Sequence, residues 1–168
     1  AGAANINYVN QLERPMLRVN GGSQGWARLF AAASPRVGAG TVLGAVELGH
    51  SDGPWTMSDD YRKANTVLRY SRGTNRNGFS LTGLGYWATW RSTDQVATRA
   101  IASGRIPRFG NLDNTDGGQA NRQSVTAEFQ RPLGAGALRG TAYVLRNSLN
   151  LFSNFTYFLD DPVRGDQF

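Results

Sequence analysis

The chain has 168 residues, room for one compact domain, of which 40% are hydrophobic and only 18% charged, with 21 glycines and a formal charge of +6. It has no cysteine, which excludes a disulfide framework and any thiolate metal site, and no run of about 18 apolar residues, which excludes a transmembrane helix but not a transmembrane barrel. Lys63 is the single lysine, and the arginines are scattered without a run. No nucleic-acid partner is therefore expected; spaced arginines suit a polar interior or a phosphate-rich surface.

The opening "AGAANINYVN" lacks an initiator methionine and a signal peptide, as a processed or partial chain would. Beyond it, alternation with period 2 outweighs helical periodicity. "GWARLFAAAS" sets Ala27, Leu29, Ala31 and Ala33 against Trp26, Arg28 and Phe30. "PRVGAG" (Pro35–Gly40) reads as a turn, and "TVLGAVELGH" puts Val42, Val46 and Leu48 opposite Glu47. A long connection, 51–62, follows. "KANTVLRYSR" and "FSLTGLGYWATWR" flank the turn "GTNRNG" (Gly73–Gly78); both are strand-like in composition, with faces that alternation does not assign. The next long connection, 93–121, leads to Gln123–Arg131, where Val125, Ala127 and Phe129 alternate with Ser124, Thr126, Glu128 and Gln130. After the turn "PLGAG" (Pro132–Gly136), "ALRGTAYVLRNSL" sets Leu138, Ala142 and Val144 against Arg139, Thr141 and Tyr143. The last long connection covers 150–168.

From Pro35 onward, short and long connections alternate, so the long ones gather at one end of an up-and-down sheet. Long loops at one end, strands of about ten residues and faces of opposite polarity are the pattern of a transmembrane β-barrel. In lipid every backbone group must be paired, so such a sheet has to close. The fold class expected is all-β, an antiparallel up-and-down transmembrane barrel, with about seven strands of a larger barrel present. Arg28, Glu47, Glu128 and Arg139 are expected to face its interior, because an arginine on the lipid face near the midplane costs roughly 2–4 kcal/mol. Two rivals are a small porin-like barrel and a soluble β-rich carbohydrate-binding module.

Enzyme signatures are missing. His50 is the only histidine, which leaves no histidine cluster for zinc and makes its neighbours Ser51 and Asp52 a chance-level triad. "GAGTVLG" (Gly38–Gly44) lacks dinucleotide-loop spacing and reads as a turn. No catalytic residue, metal site or cofactor is expected. Ligand contacts are expected in the long connections instead. Trp55 and Tyr61 can stack on a ring or sugar beside Asp52, Asp59 and Asp60, which could alternatively gather around Ca²⁺. The competing reading, which we favour, packs Trp55 on its own loop or at the membrane interface and leaves the carboxylates solvated. Arg105 and Arg108 can clamp a carboxylate or phosphate on a ligand, or bind lipopolysaccharide phosphates, but pairing with Asp113 and Asp116 inside the loop is the expected arrangement. Phe155 and Tyr157, with Phe152 and Phe158, can anchor at the membrane interface or fold over a lumen. Asn154, Phe155 and Thr156 match a glycosylation sequon, and Asp160–Pro162 reads as a turn.

Several stretches in order resemble the TonB-dependent receptors, the plugged outer-membrane transporters of Gram-negative bacteria. "AGAANINYVNQLERP" is similar to the end of that family's plug, where a small-residue run leads into "INxxT" and the first barrel strand. Ala4, Asn5, Ile6 and Asn7 stand in that place, and Asn10 sits where threonine is common. "ELGHSDGPWTMSDDYRKANTVLRYS" resembles a strand, an extracellular loop and the returning strand. "GRIPRFGNLDNTDGGQANRQS" and "LNLFSNFTYFLDDPVRGDQF" are similar to later loops. The resemblance implies that residues 1–14 end a plug and that residues 15–168 begin a barrel of about 22 strands. Extracellular loops would then lie at 51–62, 93–121 and 150–168. It also implies energised import of a scarce small molecule, such as a siderophore, a cobalamin-like compound or an oligosaccharide, at the outer membrane. The implied partners are outer-membrane lipid and lipopolysaccharide, the small-molecule ligand, and the TonB energy-transducing complex through a missing N-terminal region.

Overall fold

The computed structural model describes residues 8–74, 76–92, 95–154, 156 and 158–163. Its strands are β1 (Met16–Gly21), β2 (Ala27–Ala33), β3 (Arg36–Val37), β4 (Gly40–Ser51), β5 (Tyr61–Gly73), β6 (Gly78–Arg91), β7 (Gly117–Leu133) and β8 (Gly136–Phe152), with one short helix, α1 (Thr98–Ala102). They form one antiparallel sheet in the order β1-β2-β4-β5-β6-β7-β8, and β3 pairs with β4 alone. The sheet is up-and-down and is not closed. The expectation of about seven strands agrees with the seven that lie along this path. The eighth, β3, is a two-residue return inside "PRVGAG", so that stretch is not purely a turn; likewise only the start of "GAGTVLG" turns, and its remainder belongs to β4.

Short connections join β2 to β4, β5 to β6 and β7 to β8 at one end, while 52–60 and 92–116 lie at the other. The connection expected at 93–121 is shorter at its far side, because β7 already begins at Gly117. It also contains α1, which an all-strand reading does not include. At its C-terminus Gly104, at φ +70°, donates to Ile101 O (3.0 Å) and Arg105 N to Ala100 O (3.0 Å), which satisfies carbonyls the five-residue helix leaves open.

Register settles the faces that alternation left open. Glu47 pairs with Asn65, Leu43 with Arg69, Arg69 with Thr82, and Ser80 with Glu128. Lys63, Asn65, Arg69, Ser71, Ser80 and Thr82 therefore share a face with Arg28, Glu47, Glu128 and Arg139. Ala64, Leu68, Tyr70, Phe79, Leu81 and Trp87 share the other with Leu29, Val46, Val125 and Val144. The first is the polar face, the second the apolar face.

Neither face covers a dry core. Among the described residues the only buried hydrophobic side chains are Ala32, Leu43 and Ala88. Leu17, Val19, Leu68, Val125 and Val144, all on the apolar face, are between 51% and 75% exposed. A soluble sandwich would cover this face with a second layer, and no described element does so.

The apolar face has margins. On β5 it runs from Ala64 to Tyr70 between Arg62 and Arg72, ten positions apart. At about 3.4 Å per residue, that separation is about 34 Å along the strand. The margin also steps across the sheet. Gln119 pairs with Thr89, yet Gln119, Asn121 and Gln123 keep this face of β7 polar until Val125. Trp87 lies near the margin at the long-loop end and Tyr70, Phe79 and Phe129 near the one at the short-turn end. The Phe129 ring lies over its cross-strand partner Gly140, where any Cβ would collide with it.

Candidate functional site

Residues 8–15 cross the polar face near the short-turn end without regular structure. Their anchor is Arg69, an arginine inside the run "TVLRYS". Its guanidinium donates from Nε to Asn10 Oδ1 (3.0 Å) and from Nη1 to Thr82 Oγ1 (2.5 Å) and Glu128 Oε2 (3.3 Å). Tyr8 places its ring 5.7 Å from the same group, and Ser80 donates to Glu128 at 3.0 Å. The Arg69 side chain is only 8% exposed. A basin of about 450 Å³ opens beside it, lined also by Gln130, Arg139 and Thr141. Farther in, Leu12 N donates to Ser34 Oγ (2.8 Å), a second tie of this segment to the sheet.

Toward the long-loop end a second hub forms around Glu47. It accepts from Arg28 Nε (2.8 Å) and Lys63 Nζ (2.8 Å), with Asn65 Nδ2 at 3.4 Å. The four charged residues expected on one side of the sheet are indeed on one side: Arg28, Glu47 and Glu128 take part in the two hubs, and Arg139 lines the basin beside Arg69. Burying such pairs against lipid would be costly, whereas a hydrated or polar neighbour accommodates them.

At the rim, loops 52–60 and 92–116 meet. Thr56 N donates to Phe109 O (2.8 Å), Trp55 meets Phe109 edge-on at 6.2 Å, and the Arg108 guanidinium lies 5.8 Å from the Phe109 ring. The Trp55 indole donates to Asp59 Oδ2 (2.9 Å). Burial pushes the Asp59 carboxyl above its usual range; the indole bond opposes this and nearby Asp52 reinforces it. Two of the predicted ligand contacts, Trp55 and Arg108, thus come together through Phe109, which sequence reasoning missed. Its signal was an aromatic beside an arginine in "RIPRFG". Tyr61 does not join them; it lies on the polar face, as Tyr86 does.

The pairing expected within the second loop does not form. Arg105 and Arg108 make no ion pair with Asp113 or Asp116. Asp113 instead accepts from Thr115 N (2.9 Å), Thr115 Oγ1 (2.5 Å) and Asn154 Nδ2 (3.0 Å), and Asp116 Oδ1 accepts from Asn154 N (3.0 Å). Burial alone would raise the Asp113 carboxyl, but the Thr115 and Asn154 bonds outweigh it and hold it below the usual range. Asn154 is 1% exposed, so the sequon asparagine is a buried clasp between loop and terminal segment, closed to a glycan. Phe155 and Tyr157 lie outside the described residues, as do Ala4, Asn5, Ile6 and Asn7. Phe152 ends β8 six positions beyond Arg146, well past the apolar band. At Asp161, Oδ1 accepts from Val163 N (3.0 Å), the turn expected there.

No triad forms around His50, because Ser51 and His50 alternate to opposite faces. Compared with family models, curated proteins and solved structures, the chain matches none of them.

Proposed function

We propose that this chain is part of a TonB-dependent outer-membrane receptor, with lipid against the apolar face and a plug and water against the polar one. The observation that carries the proposal is the exposed apolar band, backed on the opposite face by two ionic hubs; at the strand tilt of a membrane barrel its run on β5 would stand about 24 Å tall. A soluble β-rich module would have to leave that band in water, and exposed apolar patches of such extent are rare on monomers. Residues 8–15, pinned by Arg69, fit the exit of a plug onto the wall. The free edge of β8, 17 residues long, fits a sheet that continues through further strands, since an uncovered edge of that length invites aggregation.

In this reading the receptor imports a scarce small molecule, with energy supplied by the TonB complex, and performs no chemistry on it. Its partners include outer-membrane lipid and lipopolysaccharide. Single-tryptophan variants test the membrane placement. With dibrominated lipid, a variant retaining only Trp87 is expected to be strongly quenched, and one retaining only Trp55 to be spared. An unquenched Trp87 in a chain that stays monodisperse without detergent would return the protein to the soluble-module reading.

Trp55, Phe109 and Arg108 form the rim element best suited to ligand, with Arg105 nearby in sequence and Tyr61 on the polar face below. Trp55→Ala or Arg108→Ala in the full-length receptor is expected to weaken ligand binding by up to about tenfold. Unchanged affinity in both would assign these residues to loop packing alone.

A further inference from the structure

One cluster of donor atoms belongs to neither hub nor to the aromatic rim. His50 stands near the end of β4, Asp52 opens the following loop and Asp60 closes it. One donor atom from each lies within 4.8 Å of the other two. His50 Nε2 is 3.4 Å from Asp52 Oδ1, and Nδ1 is 4.0 Å from Asp60 Oδ1. All three side chains are between 35% and 42% exposed, within reach of an ion from solvent.

The surroundings hold these groups in place. Asp52 N donates to Gln24 O (2.8 Å), Asp59 N donates to Asp52 O (2.9 Å), and Ser58 Oγ donates to Asp52 Oδ1 (2.5 Å). The Asp52 carboxylate rests on Gly25, at φ +66°, where any Cβ would collide with it. Arg62 Nε donates to Asp60 Oδ1 (2.9 Å), and its Nη2 lies at an ion-pair distance of 2.9 Å from the same oxygen. These side-chain bonds all fall on Oδ1, and each Oδ2 accepts no hydrogen bond among the described residues. Two carboxylates against one guanidinium leave the side chains around the imidazole with one excess negative charge.

We propose that His50, Asp52 and Asp60 bind one first-row divalent metal ion. An imidazole nitrogen with two carboxylate oxygens suits zinc, manganese or iron(II) better than calcium, which takes six to eight oxygens. Three protein donors leave positions for water or an anionic co-ligand. The ion ties both ends of loop 52–60, which carries Trp55, to β4 and, through Asp52, to the β1–β2 connection. The site stands apart from the membrane reading, so the lipid-quenching result does not bear on it.

The test is calorimetric titration of the intact chain, without a histidine tag, with Zn²⁺, Mn²⁺ and Ca²⁺, alongside tryptophan emission. Saturable binding of one Zn²⁺ per chain is expected, with Ca²⁺ far weaker and Trp55 emission changing in step. His50→Gln, which removes the only histidine and keeps a polar side chain of similar size, is expected to weaken Zn²⁺ binding roughly tenfold or more. Asp52→Asn is expected to do the same. Arg62→Gln, which removes the competing cation on Asp60, is expected to tighten it. No saturable binding, or equal Zn²⁺ affinity in wild type and a His50→Gln chain with unchanged circular dichroism, would overturn the assignment.

Discussion

Replacing Arg69 with alanine is expected to destabilise the chain by about 2–4 kcal/mol and to release residues 8–15 from the sheet. Breaking a buried ion pair costs about 3–5 kcal/mol because a charge is left without its partner. Here the figure is lower, since the Glu128 side chain is 46% exposed and water can replace part of the lost interaction. The loss reaches further than Glu128. Asn10 and Thr82 lose their donor, and Tyr8 loses the cation beside its ring. Arg69→Lys keeps the charge but not the fork that reaches Asn10 and Glu128 together, so it is expected to restore less than half of the stability. Denaturant titration reads the first effect. Cleavage after Glu13 by a glutamate-specific protease reads the second, and both should rise together. An Arg69→Ala chain with wild-type stability and an uncut segment would show that residues 8–15 are held by something else.

Placing a charge on the apolar face should cost as much, and only on that face. Leu68 is 62% exposed in the middle of the band on β5, between Arg62 and Arg72. In lipid, Leu68→Arg is expected to destabilise by about 2–4 kcal/mol, the cost of an arginine near the bilayer midplane. Tyr143, on the polar face of β8, is 73% exposed, and Tyr143→Arg is expected to change stability by less than about 1 kcal/mol. In water the two exposed sites would behave alike. The difference between them, measured by folding into lipid vesicles, therefore reports the environment of each face. Equal effects at both positions would count against lipid on the Leu68 side.

Where side chains of opposite character alternate strictly, the strands were legible. Val125, Ala127 and Phe129 against Thr126 and Glu128 left one assignment, and the register agrees with it. The same holds for Val46 and Leu48 against Glu47. β6 gave no such signal because Leu84, Tyr86 and Ala88 on its polar face are as apolar as Leu81 and Trp87 on the other. The start of β7 was missed for the opposite reason: Gln119 to Gln123 is polar on both faces. A five-residue helix is too short for a 3.6-residue period to show, although the glycine at 104 marks its end.

Pairing across the chain is another matter. Arg69 meets Asn10 and Glu128, each 59 positions away, and Trp55 meets Phe109 across two loops. Local pattern suggested an ion pair between arginines and aspartates of one loop; the fold instead gave Asp113 to Asn154, 41 positions distant. The sequence by itself determined that the chain runs as antiparallel strands, which connections are long and which charges share a face, because the pleat turns every second residue to the same side. Only the tertiary structure decided which loops touch, which arginine holds the entering segment and which carboxylates flank His50. Those contacts depend on how strands far apart in the chain are brought side by side, and no local period records that.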